Sequence, residues 1–120
     1  MAINIIGGSV SPSTALTLNA QTGTTYTFVL TDANNTLVTA SNASAQTYTI
    51  PPNSSVAYPI GSQINIIQIG AGQVSFAQGS GVTIASTGGT SSAPKLRAQY
   101  SSATAIKVNT DSWYVVGDIS

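Results

Sequence analysis

Six side chains in 120 carry a formal charge: Lys95, Arg97, Lys107, Asp32, Asp111 and Asp118. His, Cys and Glu are absent altogether. That inventory closes most routes to chemistry. Nucleophilic catalysis by a hydroxyl or thiol activated through imidazole needs His. A zinc centre needs Cys, His or convergent carboxylates, and acid/base glycoside cleavage needs two facing carboxylates. The three Asp are scattered, with Asp111 at a turn and Asp118 at the chain end. Ser92-Ala93-Pro94-Lys95 matches the Ser-x-x-Lys spacing of penicillin-binding enzymes, but that motif opens a helix and Pro94 leads into a strand. Gly70-Ala71-Gly72 lacks the third glycine of a dinucleotide fingerprint and reads as a turn. Asp32-Ala33-Asn34-Asn35 begins like a calcium loop with no Glu at the twelfth position, so it reads as an Asp/Asn turn. The expectation is a protein that is not an enzyme and that binds no cofactor or metal.

Polarity comes from hydroxyls instead, 33 Ser and Thr in all, and charged residues make up 5% of the chain. Ordinary globular chains carry about 25%, and solubility normally relies on a mixed charged surface. Hydroxyls are cheaper than charges to bury at an interface if they find hydrogen-bond partners. This composition predicts a surface largely covered by neighbours. A balanced charge speaks against nucleic acid, which needs clustered Lys and Arg. No stretch approaches the ~20 apolar residues of a membrane span, and Met1-Ala2-Ile3-Asn4-Ile5-Ile6 lacks the basic start and long apolar run of a signal peptide. Absence of Cys fits synthesis in a reducing cytoplasm. The sequons at Asn34, Asn42 and Asn53 are then idle.

The elements that must carry these residues are strands. No window keeps the helical i, i+3, i+4, i+7 pattern, and β-branched residues abound. Tyr26, Phe28 and Leu30 alternate with Thr25 and Thr27, and Gln46–Ile50 alternates before Pro51-Pro52. Gly79-Ser80-Gly81 between Gln73–Ala77 and Val82–Ile84 predicts a hairpin, as does Asn109-Thr110-Asp111 between Ala105–Val108 and Ser112–Val116. Lys95–Tyr100 alternates too, with both basic residues on one face. Within 63–69, Ile64 and Ile66 share one face while Ile67 and Ile69 take the other. Either a β-bulge shifts the phase or both faces are covered, the second by a neighbouring subunit; double coverage is preferred. Trp113 alternates with Val115 and reads as core, whereas Tyr58 before Pro59 reads as an exposed contact. Residues 86–94 form a loop. The reading is an all-β fold: a compact antiparallel β-sandwich or jelly-roll-like domain over residues 21–120, with an extended N-terminal arm over residues 1–20.

An ordered series of segments then resembles a module of tailed-bacteriophage virion structural proteins, found in tail-fibre parts and head decoration proteins. It runs through Tyr48-Thr49-Ile50-Pro51-Pro52-Asn53, Pro59-Ile60-Gly61-Ser62-Gln63-Ile64, Ile67–Phe76, Gly81-Val82-Thr83-Ile84, Lys95–Ser101 and Trp113–Ile119. The resemblance implies a β-rich virion protein, commonly a homotrimer, with no catalytic residues. A chain starting at Met1 and this short has no room for a fibre shaft plus an attachment domain. The expectation is therefore a capsid decoration or cement protein, made in the bacterial cytoplasm and placed on the capsid surface. Its partners would be itself and the phage major capsid protein, through Ile3, Ile5, Ile6, Tyr58, Ile67 and Ile69. The rival is a tail-fibre or tail-tip module binding a glycan receptor, and a free cellular β domain is the third reading. Five of the six charges fall after residue 94, which places the partner-facing surface in the arm and the first two thirds and the solvent-facing surface near the C-terminal hairpin.

Overall fold

The computed structural model describes residues 15–120. Nine strands follow in order: β1 (Thr17–Gln21), β2 (Thr25–Thr27), β3 (Thr36–Ala40), β4 (Gln46–Ile50), β5 (Gln63–Gln68), β6 (Val74–Gln78), β7 (Thr83–Ser86), β8 (Ser102–Asn109) and β9 (Ser112–Gly117). A single 3-10 turn, Leu30–Ala33, is the helical content among the described residues. The domain is mostly β, and its strands form two sheets, one ordered β1-β3-β5-β8-β9-β7 and the other β2-β4-β6.

From β1 to β7 the chain alternates between the sheets, and β3, β4, β5 and β6 each return beside the predecessor-but-one in the same direction. One turn leads from Thr17 to Thr36, a later one from Leu37 to Asn65. The pairs β1–β3, β3–β5, β2–β4, β4–β6 and β7–β9 are parallel. Only β5–β8 and β8–β9 are antiparallel. The antiparallel, jelly-roll-like layout expected from the sequence is thus corrected to mixed sheets with parallel pairing dominant. The β8–β9 hairpin is there as expected. It sits between β5 and β7, where the next parallel strand would otherwise pair.

The physical reason lies in the turns, which are corners rather than reversals. Gly79-Ser80-Gly81 is not a hairpin: β6 and β7 belong to different sheets. A tight turn, Val82 N–H to Gly79 O at 3.0 Å, hands the chain across. Successive corners stack. Gly79 N–H donates to Ile50 O at 2.9 Å, and Gly72 N–H donates to Asn42 O at 2.8 Å. The stack is tight enough that a Cβ on Gly72 would run into the Ser44 carbonyl oxygen. Buried glutamines satisfy the corner backbone from inside. Gln46 Nε2 donates to Gly72 O at 3.0 Å, and Gln68 Oε1 accepts from Val74 N–H at 3.0 Å. Backbone polar groups turned inward at a corner would otherwise be costly orphans.

Both sheets feed one hydrophobic cluster. Tyr48, Ile50, Val74 and Phe76 enter from the smaller sheet, and Val38, Ile64, Ile66, Ala105, Trp113 and Val115 from the larger. Trp113 is core, as its alternation predicts. Rings of Tyr26, Phe28, Tyr48 and Phe76 lie 5.5–6.3 Å apart, spacings at which aromatic pairs attract. The smaller sheet is extended past β6 by residues 94–96, with Phe76 N–H to Pro94 O and Leu96 N–H to Val74 O both at 2.9 Å. The regular alternation expected for Lys95–Tyr100 therefore ends early. Leu96 is buried, but the chain turns before Tyr100, which takes a positive φ of 70° and is 68% exposed.

Of the expected arm, residues 1–14 lie outside the described residues, and Thr17–Ala20 belong to β1.

Candidate functional site

Two buried charges give the interior its chemistry, and they lie in separate clusters. Asp32, 1% exposed, sits in the 3-10 turn. It accepts from Tyr26 Oη at 2.7 Å, Asn19 Nδ2 at 2.8 Å and Val29 N–H at 2.9 Å. The Asp/Asn turn read at 32–35 is a turn, with its carboxylate spent on local donors. Burial, with the Asp32 hydrogen bond next, raises Tyr26 to about 12, and burial alone raises Tyr48 to about 12.

Lys107, 2% exposed, is the second. It points inward from β8 beside Trp113 of β9, its register partner. Its Nζ donates to Asn53 Oδ1 at 2.7 Å and to Tyr58 O at 2.8 Å. Asp111 touches the same corner: its Oδ1 accepts from Asn53 N–H at 2.7 Å. Lys107 is not part of the surface charge that the sequence reading placed near this hairpin, because it points inward, while Val108, Tyr114 and Val116 are exposed there. Tyr58 is also corrected: it is 3% exposed, not an open contact. Its hydroxyl donates to Val29 O at 2.7 Å, and its ring meets Trp113 edge-on at 5.2 Å. Burial, the largest cause, pushes its hydroxyl well above the ordinary tyrosine range.

The remaining charges are on the surface. Arg97 makes a two-pronged pair with Asp118 at 2.8 and 2.9 Å, and Ser101 Oγ donates to the same carboxylate at 2.7 Å. Arg97, then Ser101, holds the Asp118 carboxyl below its usual value, and the same pairing raises Arg97.

The outer face of the larger sheet is a broad surface without charge along its strands. Alternation sets its rows: Leu18, Leu37, Asn65, Thr104 and Val116 form one, and Gln63, Ile106, Tyr114 and Ala85 another. Ile67 sits between Thr39 and Ser102. Leu18 is 66% exposed, Tyr114 53% and Val116 51%. No charged residue faces outward from the strands of this sheet. Ile69 continues the side of Ile67 and is exposed, while Ile67 is half-buried. The pairing of β5 is regular on both sides, so no bulge shifts the phase at 64–67. Ile3, Ile5 and Ile6 lie outside the described residues. The alternation of Trp113 and Val115 in β9 was enough to put Tyr114 and Val116 on this face, whereas Ile106 required knowing that Lys107 points inward. Leu18 and Leu37 required knowing that β1 and β3 pair.

A depression of about 430 Å³ is lined by Leu30, Thr31, Ala33, Asn34, Ala57, Pro59 and Ser62, none of them ionisable. No group of three or more His, Cys, Asp or Glu that could hold a metal occurs among the described residues. No family model, curated protein or solved structure matches the chain.

Proposed function

We propose that this chain is a non-enzymatic structural protein of a tailed-phage virion: a capsid decoration or cement protein that assembles as a homotrimer and stabilises the head. The observation that carries the reading is the outer face of the larger sheet, where Leu18, Leu37, Ile67, Ile106, Tyr114 and Val116 stand among hydroxyls and amides without a charge. Monomers rarely leave large apolar patches open, and interface centres are depleted of charge and enriched in aromatics. Copies of this chain, and the capsid subunits beneath them, are the surfaces that cover it. The low charge of the whole chain and the resemblance over residues 46–119 point the same way. In this reading the two sheets are the layers of a β-sandwich.

Native mass spectrometry of the purified chain tests the assembly, with a trimer expected; a monomer at micromolar concentration overturns it. Copy number per particle tests the location. A ratio near one per capsid subunit supports decoration, and a handful of copies supports the tail. The alternative, a glycan-binding tail-fibre or tail-tip module, draws on Tyr100 and Tyr114, which are 68% and 53% exposed and could stack on sugar rings. Glycan-array binding that is lost in Tyr114→Ala favours it.

A further inference from the structure

The Lys107 cluster does more than a buried lysine needs. A buried ammonium is tolerated when a carboxylate neutralises it, and the one ion pair among the described residues is Arg97 with Asp118. Lys107 faces two neutral oxygens instead, and the nearer belongs to a side-chain carboxamide, Asn53 Oδ1 at 2.7 Å. An amine so close to a carboxamide, on a side chain only 2% exposed, has the ingredients of acyl transfer. The nucleophile is Lys Nζ, the electrophile is Asn Cγ, and Asp111 touches the electrophile's own backbone at 2.7 Å. Proximity of reacting groups near van der Waals contact removes most of the entropic barrier of such a step, and amine nucleophiles are activated by desolvation and an adjacent base.

We propose that Lys107 and Asn53 join in an intramolecular amide bond. The Lys107 ammonium makes no direct contact with Asp111 and gives its proton to that carboxylate through solvent at the half-buried Asn53 corner, and the neutral amine bonds from Nζ to Asn53 Cγ. The Cγ–Nδ2 bond then breaks, and Nδ2 leaves with the proton returned through Asp111 and the one shed by Nζ. The balance is one ammonium plus one carboxamide giving one secondary amide plus one ammonium ion, with no change of oxidation state. Asn53 is half-buried, so ammonia has a way out to solvent. The product removes the unpaired charge from the interior. It also ties the loop after β4 to β8 across 54 positions, a covalent closure that restricts the unfolded chain much as a disulfide does in a protein that has no cysteine. The inference does not depend on the capsid reading.

Mass spectrometry of the denatured full-length chain tests it. The expected mass is lower than the sequence mass by one ammonia. Trypsin sites are Lys95, Arg97 and Lys107. Acylated Lys107 resists cleavage, so digestion of the denatured chain should give residues 1–95 covalently joined to residues 98–120. A full mass with normal cleavage after Lys107 overturns the proposal, and so does an ammonia loss that maps to a succinimide on an asparagine in an unbranched peptide. Asn53→Ala should restore the mass expected from its own sequence. Asp111→Asn, checked for folding by circular dichroism, should retain its ammonia. If that variant cross-links as fast as the parent, the role given to Asp111 is wrong.

Discussion

The two sheets present opposite outer faces although the same alternating chain builds both. On the smaller sheet the outward residues are Thr25, Thr47 and Ser75 in one row and Thr27, Thr49 and Ala77 in the next. On the larger sheet they include Leu18, Leu37, Ile67, Ile106, Tyr114 and Val116. The larger face lacks charge along its strands, and the smaller one carries a single exposed charge at its edge, Lys95 beside Ser75. Small hydroxyl-bearing side chains satisfy themselves with water at little cost, whereas large apolar ones gain about 25 cal/mol per Å² when covered. The comparison teaches that low charge alone does not mark a contact surface. Low charge together with large apolar residues does, and that combination is confined to one side.

The largest expected effect strikes the device that creates the two faces. Gly72→Ala pushes a Cβ into the Ser44 carbonyl at the stacked corner. It should cost about 3 kcal/mol or more of stability, a large share of the 5–15 kcal/mol typical of a domain. Urea unfolding measures it, and a midpoint within error of the parent means that the corner stack is looser than described. Next come matched charges on the two faces. Ile67→Asp on β5 and Thr47→Asp on β4 both place Asp on the outer face of a strand paired on both sides, β5 between β3 and β8 and β4 between β2 and β6, and both replace a β-branched residue. Ile67→Asp should weaken self-association at least about tenfold, worth ~1.4 kcal/mol, and Thr47→Asp should leave it unchanged. Equal effects in sedimentation erase the distinction between the faces.

Alkaline titration probes the interior between the faces. Tyr26 and Tyr48 are raised from 10.0 to about 12. Above pH 10 the unfolded chain loses their protons while the folded one keeps them, so the unfolded state binds fewer protons and stability falls as pH rises. The stability that these groups contribute is present below pH 10 and is lost on the way to about pH 12. Tyrosinate absorbance should rise together with loss of the near-ultraviolet circular dichroism signal; a full rise near pH 10 in the folded protein contradicts burial of these rings. A smaller contrast pairs one inward and one outward tyrosine. Tyr58→Phe removes the 2.7 Å bond to Val29 O and should cost about 1 kcal/mol, while Tyr114→Phe should cost nothing measurable in a dilute monomer. The smallest effect belongs to Arg97→Ala, because the exposed Arg97–Asp118 pair is screened by solvent. Asp118 is held below its usual value, so what the pair contributes is present above the ordinary carboxylate range and fades as pH falls through the folded value. A salt-dependent loss of stability larger than that of Tyr58→Phe would show the pair to be structural.

Much was legible because alternation has a period of two and reports which side of a strand is apolar. That Ile64 and Ile66 share a face opposite to that of Ile67, that Trp113 is in the core, and the turn at Asn109-Thr110-Asp111 all follow from local spacing. Tyr58 and Lys107 did not, because nothing local distinguishes a Tyr before Pro59 that packs on Trp113 from one that faces solvent. A lysine on an alternating strand points inward only if an acceptor such as Asn53, far away in the chain, is there to meet it.

The sequence by itself determined that the chain is β-rich, charge-poor and without the residues for imidazole or thiol chemistry, since these depend on residue type and short-range periodicity. Only the tertiary structure decided that Gly79-Ser80-Gly81 is a corner, that most strand pairs are parallel, and that Lys107 meets Asn53 inside the domain. Each of those rests on partners many residues apart, whose pairing is chosen by how the corners stack and how the two sheets share one core.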